Sequence, residues 1–368
     1  MTIEKLKEST KMISDPRRTT YGNIRHNLEA ILVIGLLSTL VGGTDFPDME
    51  MYGKAKYPWL SGFLKLPYGI PDSDTFRRVF ELINPDELAA CLAEWIDDER
   101  QRPKNVGIDG KTIRGSGNSD HRAYHVVSAW ANEHGITLGQ VAVDEKSNEI
   151  TAIPQLLDAI DIQGAVITID AMGCQRAIAA KIIEKGANYV LALKNNHKNL
   201  YNQTVACFDN INPETCLDEW IDESVNGNKV EKRITTVISA RLLTDIEPWA
   251  GLTTLARCRY IVFENGQERI EDRYFLCGLP PNARRIGRII RGHWSIENQL
   301  HWMLDVVFEE DSARAKKDNS PLNMNILRKT AIKLLFDIKP NYKRLSYKKL
   351  MFKAALETDF LEKILGWK

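Results

Sequence analysis

Three acidic residues, Asp109, Asp170 and Glu297, stand where they could do chemistry together. Each aspartate closes a short apolar run, Val106-Gly107-Ile108 before Asp109 and Ala165–Ile169 before Asp170. Each therefore falls at or near a strand's carboxyl end, where open α/β sheets place their sites. Carboxylates brought together repel one another unless a cation neutralises them. Magnesium, or manganese in its place, takes hard anionic oxygen ligands and keeps waters for reaction. Two such ions about 4 Å apart can activate a water or a 3′-hydroxyl and stabilise the leaving oxygen of an in-line displacement.

The third carboxylate is expected from a late helix. Glu297 lies in HWSIENQLHW, with Trp294, Leu300 and Leu304 read as the apolar stripe that packs the helix on the sheet. His293 and His301 stand one turn away on either side. A charge within an apolar stripe is costly unless paired or metal-bound. Asp305, two turns further along, is the rival third ligand, while Glu309, Glu310 and Asp311 read as a solvated helix end. Each residue also has a plain reading. Asp109 before Gly110 can be a turn aspartate, Asp170 can cap the next helix, and Glu297 can be a surface residue. His293 and His301 suit structural or DNA-contacting roles better than metal ligation. The case rests on the trio in topological order: first strand, fourth strand, late helix.

The elements that must position this trio follow from periodicity. The first hundred residues read as helical, with an apolar helix near Leu28–Val41 ending at Gly42-Gly43. Further helices follow Pro71-Asp72-Ser73 and Asn84-Pro85. The charged stretch Asp97–Lys104 reads as a linker. Beyond it, a strand to Asp109 and a hairpin from His125–Trp130 and Thr137–Val143 precede a helix with Ile153, Leu156, Leu157 and Ile160 inward. That helix is expected to carry Pro154 in its first turn. Then come the strand to Asp170, a helix near Gln175–Glu184, and a strand Tyr189–Leu193. A three-stranded meander beside two parallel strands is the layout of the ribonuclease H-like fold, an α/β class. The region from about Tyr201 to Asp272 reads as an inserted β subdomain, and a long helix is expected from about Ala283 to Phe308. The expected divisions are residues 1–104 (helical), 105–200 (core, first part), 201–272 (insertion), 273–335 (core, second part) and 336–368 (helical basic tail).

Arg284, Arg285, Arg288 and Arg291 precede Glu297 on that helix and suit phosphates rather than bases, although arginines can equally snorkel over apolar surface. Arg314, Lys316 and Lys317 follow the acidic cluster and can hold DNA backbone further along. The chain's 49 acidic and 49 basic residues balance, so net charge gives no argument for a polyanionic partner. The charges are segregated, however. Residues 44–99 carry about −7 and residues 312–353 about +10, the latter either a polyanion-binding face or a solvated helical surface. Six scattered cysteines without a C-x-x-C pair read as idle thiols in a reducing cytoplasm. Leu28–Gly43 is too short to span a membrane and is interrupted by Glu29 and Ser38.

Five runs carry a family resemblance: IDGKT (Ile108–Thr112), DEKSNEITAIPQLL (Asp144–Leu157), ITIDAMGCQ (Ile167–Gln175), LALKNN (Leu191–Asn196) and HWSIENQLHWMLDVVFEED (His293–Asp311). With them the chain resembles the DDE-type transposases of bacterial insertion sequences, in the group of the H-repeat-associated proteins found near Rhs elements. The resemblance implies that Asp109, Asp170 and Glu297 are catalytic ligands of two Mg2+ or Mn2+ ions, and that Lys111 and Lys194 approach the phosphates; His293 is counted with the DNA contacts on its own position. It implies hydrolysis at element ends, then attack of the freed 3′-hydroxyl on double-stranded target DNA by a homodimer, in the bacterial cytoplasm at the nucleoid. Related transposases carry a tyrosine, an arginine and a lysine where this chain has Ile290, His293 and Leu304. Where relatives have an H-G-R-x-E-x-R run, the chain keeps Glu231 and Arg233. Two other readings stay open: a decayed relic that only binds DNA, and a metal-dependent nuclease of the same fold.

Overall fold

A computed structural model describes residues 2–17, 24–96, 102–117, 122–143, 148–227, 229–244 and 246–367. Most of the linker expected at Asp97–Lys104, the first four residues of DEKSNEITAIPQLL, and Asn228 lie outside the described residues.

Six helices come first: α1 (Ile3–Thr10), α2 (Leu28–Leu40), α3 (Phe46–Ala55), α4 (Tyr57–Leu60), α5 (Ser73–Leu82) and α6 (Pro85–Ile96). The α2 helix is apolar all round and buried along nearly its whole length, so the other helices wrap it. Asn27 caps its start by accepting from the Ala30 amide at 2.8 Å. Gly42, at φ +108°, turns the chain away at its end. No helix among the described residues is long and apolar enough to cross a membrane.

The middle of the chain alternates: β1 (Asn105–Thr112), β2 (His125–Ala131), β3 (Ile136–Val143), α7 (Glu149–Ala159), β4 (Val166–Ile169), α8 (Arg176–Glu184), β5 (Asn188–Leu193) and α9 (Lys198–Asp209). Strand β1 pairs antiparallel with β2 and parallel with β4, and β4 pairs parallel with β5. The α7 helix begins earlier than the sequence suggests, because the Thr151 hydroxyl reaches back to the Asn148 amide. Pro154 consequently lies inside the helix rather than in its first turn. The α9 helix replaces the start of the expected β insertion, with Leu200, Thr204 and Phe208 buried on one face.

Four long strands follow: β6 (Cys216–Asn226), β7 (Lys229–Ser239), β8 (Thr254–Glu264) and β9 (Gln267–Cys277). The turn at Asn265-Gly266 takes positive φ at both residues, the geometry that twists two strands into a hairpin. Antiparallel pairing of β9 with β5 joins these strands to the first five. The result is one nine-stranded mixed sheet, β3-β2-β1-β4-β5-β9-β8-β7-β6, rather than five strands with a separate subdomain.

The expected long helix begins as α10 (Ala283–Ser295) and then widens into two π-helical segments, Ile296–His301 and Met303–Val307. The Trp302 amide donates to the Glu297 carbonyl and the Phe308 amide to the Met303 carbonyl, each five residues back. The chain ends in α11 (Ser320–Ile338), a 3-10 turn at Pro340, α12 (Tyr347–Leu356) and α13 (Thr358–Ile364). One core lies between the sheet and α7 to α9, and another between the sheet and α10. A third joins the N-terminal helices to the π-helical segments and α11 to α13.

The basic stretch at residues 312–353 is neither a polyanion face nor a solvated surface throughout. Arg328, Lys329 and Lys333 are buried on α11, at 2%, 6% and 5% exposure. Glu310, read as solvated, is fully buried, and Arg328 Nη1 donates to its Oε1 at 3.2 Å. Asn325 Nδ2 donates to the same oxygen at 2.9 Å. Partners that local periodicity cannot reveal satisfy two of these buried cations: Glu310 pairs with Arg328, and Lys329 Nζ donates to Ser128 Oγ and Gln140 Oε1.

Candidate active site

Strand alternation settles which face of the sheet holds Asp109. Val106 and Ile108 enter the core under α7 and α8, so Gly107, Asp109 and Lys111 point to the opposite face, toward α10 and α11. His293 packs over Gly107, where even a Cβ would be in ordinary contact, 3.7 Å from its Nδ1. His293 Nδ1 is 2.8 Å from Thr168 Oγ1, which ties α10 to β4 two residues before Asp170. Ile108 is in parallel register with Ile169, so Asp109 and Asp170 are the next positions of neighbouring strands.

Asp170 has partly the capping role its sequence suggests. Its Oδ1 accepts from the Met172 and Gly173 amides at 3.0 and 3.2 Å, closing the turn before α8. Glu297 is exposed, on the first π-helical segment, and lines a cavity of about 580 Å3 with Asp170, Lys194, His293 and Trp294. The stripe argument for it fails in detail. Leu300 and Leu304 are buried, but Trp294 is 40% exposed with the Arg273 guanidinium 4.9 Å from its ring centre. Ile296 takes the inward place instead.

Burial pushes the Asp109 carboxyl up to about 7, and the charges of Asp170, Glu149 and Glu297 add to the shift. His301 Nδ1 lies 3.6 Å from Asp109 Oδ2, too far for a hydrogen bond. Burial holds His301 neutral, down to about 3, with Lys329 and Lys111 reinforcing it. Its Nε2 is buried without a hydrogen-bond partner among the described residues. Among the described residues Asp109 thus has no cation bonded to it, while the charges of Asp170, Glu149 and Glu297 act on it.

Sequence reasoning missed Glu149. It opens α7 on the far side of β1, and its Oε1 is 2.7 Å from His125 Nε2. His125 Nδ1 in turn is 2.9 Å from Thr112 Oγ1. A Cβ on Gly110 would meet Glu149 Oε1 at 2.2 Å, so the Glu149 carboxylate occupies the space left by the missing side chain beside Asp109. That glycine, within a strand, was the available signal.

The remaining candidates scatter. Lys111 Nζ is 2.5 Å from Asp305 Oδ1 and 3.9 Å from Asp311 Oδ1, so Asp305 already has a cation. Lys194 is exposed on the rim of the Asp170 cavity. His293 is turned inward to Thr168, and burial lowers its basicity. Arg291 pairs with Asp222 on β6 at 2.5 Å. Arg284, Arg285 and Arg288 are not beside Glu297; they line a separate cavity at the starts of β1 and β4. Arg314, Lys316 and Lys317 are exposed before α11, with Lys317 3.6 Å from Glu81.

Oxygen donors of this kind suit a hard divalent cation, and a buried carboxyl ringed by like charges gains from one. Among the described residues no three Asp, Glu, His or Cys side chains already close on one point. Magnesium needs no such cage, since one or two carboxylates with water and substrate phosphate can suffice. The residues therefore fit the ion as an open set.

The sequence of residues 101–334 matches the family model described as "Transposase DDE domain", and residues 8–96 match the domain described as "DDE_Tnp_1-associated". The chain belongs to the DDE transposase family. It is 34% identical to "Putative transposase YncI" of Escherichia coli O157:H7, over all of this chain and 95% of that one. It is 32% identical to "H repeat-associated putative transposase YhhI" of Escherichia coli strain K12, over all of this chain and 99% of that one. "Putative protein YbfL" of the same strain is 33% identical over the same spans.

Proposed function

We propose that the chain is an insertion-sequence transposase that cuts phosphodiester bonds at element ends and joins the freed 3′ ends to double-stranded target DNA. Asp109, Asp170 and Glu297 hold its divalent cations. The observation that carries this reading is the register of β1 and β4, which sets two carboxylates side by side under a helix bearing a third. The strand order and directions from β3 to β5 support a ribonuclease H-like core.

When bound, magnesium or manganese supplies activation of the attacking oxygen and charge relief at the leaving oxygen. The chain's own groups do the positioning. The turn amides engage Asp170 Oδ1 and leave Oδ2 for a cation. The Thr168–His293 bond fixes α10 on the sheet, and with it the height of Glu297. Neutral His301 fills the inner flank of Asp109 without competing for it as a cation. Lys194, on the rim, meets the phosphate entering between Asp170 and Glu297. Two copies bring two element ends together.

A strand-transfer assay tests the reading. Duplexes carrying a pre-cut element end with a free 3′-hydroxyl are incubated with plasmid and magnesium. Joined products are expected. Hydrolysis without joining would make the chain a nuclease, and binding without either would make it a relic.

A further inference from the structure

The α10 helix runs along β1 and β4 from their starts to their ends. Near its end, His293 reaches Thr168, and Glu297 shares a cavity with Asp170. At its beginning, a second cavity of about 400 Å3 is lined by Lys104, Asn105, Gly164, Asn282, Arg284, Arg285, Arg288 and Ile289. Asn105 is the first residue of β1 and Gly164 stands in the turn before β4. This cavity therefore lies at the starts of β1 and β4, on the way back along these strands from the carboxylates.

Its composition is one-sided. Among the described residues four cations line it and no carboxylate does. The side chains of Lys104, Arg284, Arg285 and Arg288 form no ion pair with any described residue, whereas Arg291, farther along the same helix, is paired with Asp222. Asp218 and Glu133 lie nearby, but Asp218 Oδ2 accepts from the Ala283 amide at 2.7 Å, and Glu133 accepts from the Lys104 amide at 3.0 Å and from Asn105 Nδ2 at 2.8 Å rather than from the cationic side chains. The three arginines are exposed, so they are not held as struts in a core. Unpaired like charges converging on one hollow make a well of positive potential, and they are best satisfied by several anionic oxygens at once.

We infer that Lys104, Arg284, Arg285 and Arg288 form a second phosphate-binding site, which grips the backbone of duplex DNA roughly four to six base pairs from the cut. The spacing follows from the helix. At 1.5 Å per residue, Arg288 lies roughly 14 Å and Arg284 roughly 20 Å from Glu297 along the axis. Base pairs rise 3.4 Å each. The inference rests on DNA being the substrate, and it divides the basic residues of α10 into a remote grip and the Asp222-paired Arg291.

The test is the salt dependence of duplex binding by the full chain without metal, read by fluorescence anisotropy. One duplex extends ten base pairs beyond the cut and another stops after three. The variant Arg284→Gln/Arg285→Gln/Arg288→Gln should lower the slope of log affinity against log salt by roughly 2 to 3 on the longer duplex, about 0.9 per lost contact. On the shorter duplex it should match wild type. Lysine at all three positions should restore the slope, which a merely structural role for the arginines would not produce. An unchanged slope on the longer duplex, an equal loss on both, or no duplex binding by wild type would overturn the inference. Cleavage with magnesium is scored separately. A wild-type chain that shows the slope difference but never cuts would end the transposase reading and leave the grip standing.

Discussion

The Nζ of Lys111 lies 2.5 Å from the Oδ1 of Asp305, so the lysine beside the first aspartate is bound to the rival of Glu297. An acid neutralised by its own lysine has less to gain from a divalent cation than one left open to a cavity. Glu297→Gln is accordingly expected to abolish metal-dependent cleavage. Asp305→Asn should reduce it only about 10- to 100-fold, as loss of a supporting contact does. Rates measured on one labelled duplex decide the matter. The opposite ranking would make Asp305 the third ligand.

Asp109 should weaken the fold that carries it. Its carboxyl titrates near 7 in the folded chain against about 3.9 unfolded, so the folded state holds the extra proton between those values. Stability from this residue is thus greatest below pH 4 and is lost as pH rises through 7, by at most about 4 kcal/mol. Asp109→Asn should raise the melting temperature at pH 8 without metal and change little at pH 4. Magnesium should raise the melting temperature of wild type at pH 8 but not that of the variant. Scanning calorimetry at both pH values gives the answer, and equal destabilisation at both would refute it.

Gly110 and Glu149 should behave as a coupled pair. Alanine at 110 puts a Cβ 2.2 Å from Glu149 Oε1 and 2.5 Å from His125 Nε2, so those side-chain ends must move and their mutual hydrogen bond is disturbed. Gly110→Ala should cost about 1–3 kcal/mol as overpacking does, and lose activity with it. Adding Glu149→Ala removes the nearest obstacle and should recover part of both. A double-mutant cycle of urea melts and cleavage rates measures the coupling; strict additivity would show that the two do not meet.

Glu310 and Arg328 tie the segment after the π-helices to α11, away from solvent. Removing one partner strands a buried charge, so Arg328→Met should cost about 3–5 kcal/mol. Replacing both, with Glu310→Leu added, should cost far less. Denaturant midpoints of the single and double variants are the check.

The place of Asp170 was legible because an apolar run marks the end of β4, whereas Asp109 lies inside β1, which pairing with β2 carries on to Thr112. The hairpin of His125–Trp130 and Thr137–Val143 was legible from a similarly local signal. Pairing of β9 with β5 was not, since it joins residues some eighty positions apart and decides whether the later strands form a separate sheet. Helical periodicity gave the right stripe for Leu300 and Leu304 but not depth, so it put Trp294 inside and Glu310 outside. It also measured the arginines of α10 by sequence proximity to Glu297, although a straight helix carries Arg284 back to the starts of β1 and β4. The π-helical widening at Glu297 has no signature in residue type that periodicity could find.

In the proposed reaction three carboxylates act through divalent metal on DNA. The direct test incubates the full chain with a labelled duplex ending in its own element terminus, with magnesium, with manganese or with EDTA, beside Asp170→Asn. Cleavage that requires metal and disappears in Asp170→Asn is the predicted result. Equal cleavage by wild type and Asp170→Asn, or binding by both with no cleavage under any metal, would contradict it.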